Sequence, residues 1–211
     1  MKLISMSVYG DNPMYLQGAV LNARLLPEVY PGWTLRMYCD RRIDASEMKE
    51  LGCQVVSMPI SRRHSGMFWR FLAAWDPEAD RVIFRDSDSR FNVREVAAVR
   101  EWEYSGLNAH CMHDHPHHAC YPIFGGMWGI KCGVLPRSML KEVTIKGLRP
   151  QARVMDMKWL DSRVQPLIQS SVLRHSSIET RWPTTPFPLH EEYEGFIGQQ
   201  HDGDGNPVWP K

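Results

Sequence analysis

The sequence shows no membrane-spanning run, no signal-peptide core in its first residues and no disulfide pattern. No run of about 18 apolar residues could cross a bilayer, and Met1-Lys2-Leu3-Ile4-Ser5-Met6 passes straight into a strand pattern without a signal core. A cytoplasmic location is therefore expected. Cysteine is sparse: five residues, an odd number at scattered positions, read as reduced thiols rather than staples. An excess of charge of one sign is also lacking. The formal net charge is +1, which gives no electrostatic reason for a nucleic-acid partner. The pairs Arg41-Arg42 and Arg62-Arg63 are local and read as solvated, although the second could sit near a phosphate-bearing ligand. No internal repeat occurs, and no linker is long enough to divide domains.

What is present is enough apolar material for a core: 211 residues, 43% of them hydrophobic, with eight tryptophans. In the first half, strands and helices alternate. After a first strand, Gly18 to Leu26 reads as a helix, Thr34 to Asp40 as a strand, Ala45 to Leu51 as a short helix, and Gln54 to Met58 as a strand ended by Pro59. This alternation predicts an α/β fold with a mainly parallel sheet flanked by helices. Asn92 and Glu95 have capping-box spacing, opening a helix with Val96, Val99 and Trp102 on its apolar side that ends near Gly106. Beyond it Leu107 to Met112 and Trp128 to Cys132 read as strands, and Arg153 to Ile168 as a helical region interrupted at Pro166. From Arg181 onward Pro, Gly and aromatic residues predict a tail that wraps the surface or covers a site.

The most informative stretch is Val82-Ile83-Phe84-Arg85-Asp86-Ser87-Asp88, an apolar strand that stops at two carboxylates one residue apart. Residues i and i+2 of a strand point the same way, so Asp86 and Asp88 could share one hard divalent ion if the strand persists through them. The carboxyl edge of a parallel sheet is also where ligands bind. Acidic residues are equally at home in a turn after a strand. Upstream, Gly66 to Trp75 reads as an apolar helix carrying Arg70, followed by the turn Asp76 to Asp80. An arginine in such a run needs an anionic ligand or a carboxylate opposite it.

This ordered set resembles the metal-dependent nucleotide-sugar glycosyltransferases of the GT-A fold, most closely the small single-domain bacterial and viral type. Ser5-Met6-Ser7-Val8-Tyr9-Gly10 resembles their first strand and nucleotide-gripping loop, Thr34 to Asp40 their second strand, and Phe124-Gly125-Gly126-Met127-Trp128-Gly129 their acceptor-side glycine loop. The resemblance implies a single GT-A (Rossmann-like) domain over 1–211, with 1–105 as the nucleotide-sugar half and 106–211 as the acceptor side and tail. It implies hexosyl transfer from a nucleoside diphosphate sugar, a UDP-sugar first, to a hydroxyl of a carbohydrate acceptor, with Mn2+ or Mg2+ as cofactor. Asp88, with Asp86 helping through the metal or the ribose, would hold the ion on the diphosphate. Arg70 would face the donor, and Tyr9, Tyr38 and Asp40 would contact base and ribose, although both tyrosines also fit core packing.

A late residue would complete the metal shell, with His175 the first choice because it follows the strand pattern Ser170 to Arg174, and His190 and His201 its rivals. Asp156-Met157 resembles a helix-opening Asp-Gln segment of related transferases. Met157 departs from the Gln, whereas Asp156 still offers a carboxylate to donor or acceptor hydroxyls. Asp114, in His113-Asp114-His115-Pro116 ahead of the glycine loop, is a candidate acceptor contact or general base, or merely a turn cap. The loop's glycines would let a ligand approach closely, and Trp128 could stack on a sugar. The run His110 to Cys120 concentrates zinc-type ligands but lacks the two separated ligand pairs of a structural site. Asp202 to Asn206 reads as a turn, because Pro207 stands where a calcium loop needs glycine. Two other classes also fit the carboxylate pair. A haloacid-dehalogenase-like phosphatase would place it after the first core strand rather than after about three, and a noncatalytic carbohydrate- or metal-binding module would use it only for binding.

Overall fold

The computed structural model describes residues 1–189 and 195–209; the rival ligand His190 lies outside them. Its strands are β1 (Lys2–Val8), β2 (Trp33–Asp40), β3 (Gln54–Met58), β4 (Arg81–Arg85), β5 (Ala109–His113), β6 (Met127–Lys131) and β7 (Val172–Ser176). They form one sheet in the order β3-β2-β1-β4-β6-β5-β7. β3, β2, β1 and β4 run parallel, β6 is antiparallel to both its neighbours, and β5 pairs parallel with β7. The mainly parallel α/β sheet expected from the alternation is present, built from both halves of the chain. No helix among the described residues is long and apolar enough to cross a membrane.

The central strands are covered on both faces, as continuous apolar runs in parallel sheets require. Six of the seven residues of β1 are buried. One face packs Leu3, Val82 and Phe84 against Phe68, Phe71, Trp128 and Trp159. The other packs Ile4, Met6, Val8 and Ile83 against α1 (Pro13–Val29) and α3 (Val93–Tyr104), through Ala19, Ala23, Val99 and Trp102. On the first face β1 carries Ser5 and Ser7 where larger apolar residues would otherwise stand. Their small side chains let the 3-10 segment Ser65–Trp75 lie directly on the strand. The Ser5 hydroxyl donates to Arg70 O at 2.8 Å, and the Arg70 N–H donates to Ser7 Oγ at 2.9 Å.

Several local expectations change. The first helix is longer than expected, because Asn12 caps it, Pro13 supplies a helical φ at its start and Pro27 falls only in its last turn. At the head of α3 the Asn92 side chain accepts from Glu95 N at 2.9 Å. Glu95 does not return the bond, because its carboxylate reaches Arg85 and Tyr30 instead. Pro166 does not interrupt its helix. The chain runs from α5 (Met155–Trp159) through a π-helical turn, Leu160–Val164, into Gln165–Ile168, and the Gln165 N–H reaches back to Leu160 O, a wide turn that absorbs the proline. The tail bridges the edge strand β7 at Thr185 and then forms a small hairpin of Gln200–His201 with Pro207–Trp209 against the turn at Asp88, the Asp202 carboxylate accepting from the N–H groups of Asp204 and Asn206.

Candidate active site

The carboxyl ends of β1 and β4 open into a cleft of about 370 Å³ lined by Tyr9, Tyr15, Arg70, Asp86, Asp88, Arg153, Asp156 and Gln200, with His64 and Met157 at its sides. The strand stops at the D-x-D, as its sequence predicts, with β4 ending at Arg85, so the two aspartates are not held in strand geometry. The alternation nevertheless survives into the turn, where Ser87 and Ser89 are buried and the two aspartates are half-buried. Both aspartates line the cleft. The turn is held by the Ser89 hydroxyl on Asp86 O at 3.0 Å. α1 can lie against it because residue 18 is glycine: a Cβ there would be 2.0 Å from Ser87 O.

Arg70 is buried in the floor, with its Nη1 paired to Asp86 Oδ1 and its Nη2 2.9 Å from Asp156 Oδ2. Its fork is therefore occupied by protein carboxylates. The glycine loop serves this cluster rather than a ligand. A Cβ on Gly125 would come within 2.4 Å of Arg70 Nη2 and Asp156 Oδ2, and one on Gly126 within 2.0 Å of Asp86 Oδ2. Trp128 is 1% exposed in the core and has no face to offer a sugar.

Three carboxylates crowd one cavity, and the protonation of two of them reflects it. Burial and the neighbouring charge of Asp86 push Asp88 up to about 6, although the Gln200 amide donates to its Oδ2 at 2.7 Å. Burial also raises the Asp156 carboxyl, with Arg70 opposing and Asp86 adding to the rise. The Tyr15 hydroxyl is raised by burial and by Asp88 and Asp86, with Arg153 pulling the other way. Such a site favours a cation. Among the described residues no three His, Cys, Asp or Glu side chains are arranged to hold one. Asp86 and Asp88 instead suit the mode in which one or two carboxylates share a small divalent ion with substrate phosphates.

The other expected residues lie elsewhere. His175 falls inside β7, fully buried, with Nδ1 2.8 Å from His110 Nε2 and Nε2 3.3 Å from Glu101 Oε2. Both its nitrogens are engaged away from the cleft, so the metal-ligand expectation is corrected. His201 comes nearer, its N–H donating to Asp88 O at 2.8 Å, but its ring turns to Gln199 O. Asp114 is buried, one oxygen accepting from Ile197 N at 2.9 Å and the other 3.1 Å from Arg94. It anchors the tail and does not line the cleft, which corrects its placement as an acceptor-side base. Tyr38 is buried in the core under the 3-10 segment. Asp40 is bound by Arg42 and by the Ser61 N–H at 2.8 Å, outside the cleft. Of the sequence candidates the fold thus gathers Tyr9, Arg70, Asp86, Asp88 and Asp156 around one cavity. It adds Tyr15, Arg153 and Gln200, which carried no signal in the sequence.

No family model and no curated protein sequence matches the chain. Solved structures do match in shape. Glucosyl-3-phosphoglycerate synthase from Mycobacterium tuberculosis, in complex with Mn2+, UDP-glucose and glycerol 3-phosphate, superposes with a TM-score of 0.53 at 14% identity, over 83% of this chain and 69% of that one. The same enzyme with phosphoglyceric acid gives a TM-score of 0.50 at 12% identity, over 88% and 73%. The 4-diphosphocytidyl-2C-methyl-D-erythritol synthase from Anaerococcus prevotii gives 0.52 at 11% identity, over 83% and 86%. The sheet order and these likenesses identify the fold as the Rossmann-like GT-A fold.

Proposed function

We propose that the cleft transfers a glycosyl group from a nucleoside diphosphate sugar, a UDP-sugar first among them, to a hydroxyl of a carbohydrate acceptor. The observation that carries this reading is the pair Asp86 and Asp88 on one turn at the carboxyl end of β4, both lining the cleft and one feeling the charge of the other. Mn2+ or Mg2+ held there would offset the charge that develops on the departing diphosphate. Arg70 fixes Asp86 and Asp156 in place. Asp156, raised by burial and facing the cleft, is a stronger base than an exposed carboxylate and receives the proton of the acceptor hydroxyl. Tyr9 and Tyr15 wall the donor side. In this reading residues 1–105 of the single domain grip the nucleotide, and 106–211 supply Asp156 and the Gln200 amide that orients Asp88.

Calorimetry with UDP, with and without Mn2+, tests the reading. Wild-type binding should depend on Mn2+, and Asp88→Asn should weaken it by about 100-fold. The melting temperature should stay or rise, because the variant removes a charge that burial disfavours. Equal affinity in the variant, or binding indifferent to Mn2+, would remove Asp88 from the site. Release of UDP from a UDP-sugar marks glycosyl transfer, whereas phosphate-ester turnover without any donor marks a phosphatase.

A further inference from the structure

Arg153 is exposed at the cleft, where it makes no ion pair with a carboxylate among the described residues, in contrast to Arg70. Its placement is held by unusual backbone. Arg63 at φ 52° and Val154 at φ 61° are the non-glycine residues with positive φ among the described residues. A branched side chain makes that conformation costly for Val154. The two strained residues sit on segments joined by an isolated parallel bridge, Arg63 to Gln151. This clasp ties the loop before the 3-10 segment to the loop before α5. Val154 stands between Arg153 and Asp156, so the strained turn presents both side chains to one cavity. Strain that persists at a site's rim is a sign of a positioned group.

The charge balance of the cleft requires such a group. Its walls carry three carboxylates and two guanidiniums, one net negative charge. A divalent ion and the two negative charges of a nucleoside diphosphate ester cancel. When the bond from the anomeric carbon to the β-phosphate oxygen breaks, its electron pair stays on that oxygen. The acceptor oxygen forms the new bond to the same carbon, and its proton passes to Asp156. A further negative charge is then left on the diphosphate. Arg153 is the guanidinium lining the cleft that protein carboxylates do not already hold, and it lines the same cavity as Asp86 and Asp88. We infer that Arg153 grips the donor diphosphate where the ion does not cover it and takes up the charge left on it during transfer. A planar guanidinium matches phosphate oxygens two at a time.

This inference rests on the cleft being a nucleotide-sugar site, and the experiment separates the two. UDP, GDP, ADP and CDP are titrated with Mn2+ into the wild-type chain, and the one that binds is carried forward with its own nucleoside, measured by NMR titration. Arg153→Gln should weaken the diphosphate about tenfold and leave the nucleoside unchanged. Arg153→Lys should recover part of that loss. Melting temperatures should not move, because the side chain is exposed. Wild-type binding that survives intact in Arg153→Gln overturns this inference alone, as does an equal loss for nucleoside and nucleotide. No binding of any diphosphate by the wild type overturns the reading of the site and this inference with it.

Discussion

Two arginine–carboxylate clusters meet at the end of β4, one residue apart in sequence and on opposite faces of the sheet. Arg85 faces the α3 side, 1% exposed, with Glu95, itself 0% exposed, at 2.9 Å. Arg85 also donates to Gly126 O at 2.6 Å and to Ser89 Oγ at 3.3 Å, and the Tyr30 hydroxyl donates to Glu95 Oε1 at 2.9 Å. One positive charge meets one negative, away from solvent. Asp86 faces the other way, into the cleft, where Arg70 serves two carboxylates and Asp88 stands beside them. The first cluster is balanced and sealed, and the second carries surplus negative charge at an opening. A buried ion pair adds little net stability by itself but is expensive to break. An unbalanced one persists only where solvent or a ligand completes it. The difference separates a structural pair from a site without any appeal to sequence likeness.

Breaking the sealed pair should have the largest effect. Glu95→Ala leaves Arg85 buried without its partner and should cost about 3–5 kcal/mol, read as a lower urea midpoint. Asp156→Asn in the open cluster should change stability by less than about 1 kcal/mol, because Arg70 keeps Asp86. Its loss should appear in turnover. Similar stability losses in both would erase the distinction between the two clusters.

Acid sharpens the same contrast from the interior side. Burial lowers His113 to about 4 and His118 to about 3, below the ordinary 6.5. A base whose folded pKa is depressed takes up its proton more readily when unfolded, so its contribution is intact above pH 6.5 and is lost as pH falls toward the folded value. At pH 4 the loss from His113 alone is about 3 kcal/mol. Asp88, pushed up to about 6, changes stability in the opposite direction, so the measurement belongs in the Asp88→Asn background. Urea midpoints there should fall between pH 7 and pH 4. A flat profile would mean that both rings accept charge in place.

The sheet and the carboxylate pair were legible because both are written locally, as alternating elements and as an apolar run that stops at two aspartates. The cavity around them was not, because distant segments close it: Gln200 reaches Asp88 across 112 residues. The misplaced residues share one cause. The pattern ended a strand at Arg174 and left His175 beyond it, whereas β7 runs on to Ser176 and buries the imidazole. β5 likewise runs on to His113, and Asp114 just past its end is buried on Arg94 and Ile197. Small changes in where a strand ends decide whether a side chain meets solvent or core. The paired glycines mark places of close approach, but Arg70, Asp86 and Asp156 do the approaching rather than the expected ligand, a difference that glycine alone does not encode.

The smallest expected effect tests whether the open cluster is held on purpose. Val154 adopts a left-handed conformation that costs a branched residue about 1–2 kcal/mol. Val154→Gly removes that cost but loosens the unfolded chain by about 0.5–1 kcal/mol and gives up a half-buried side chain. The terms nearly cancel, and the melting temperature should stay within about 3 °C. Turnover should still fall by a few fold, because the turn that presents Arg153 and Asp156 to the cleft becomes mobile. A clear gain in stability with full turnover would make the strain incidental. A large loss of stability would make Val154 a packing residue, and the contrast between a sealed pair and a positioned, unbalanced one would then rest on the charges alone.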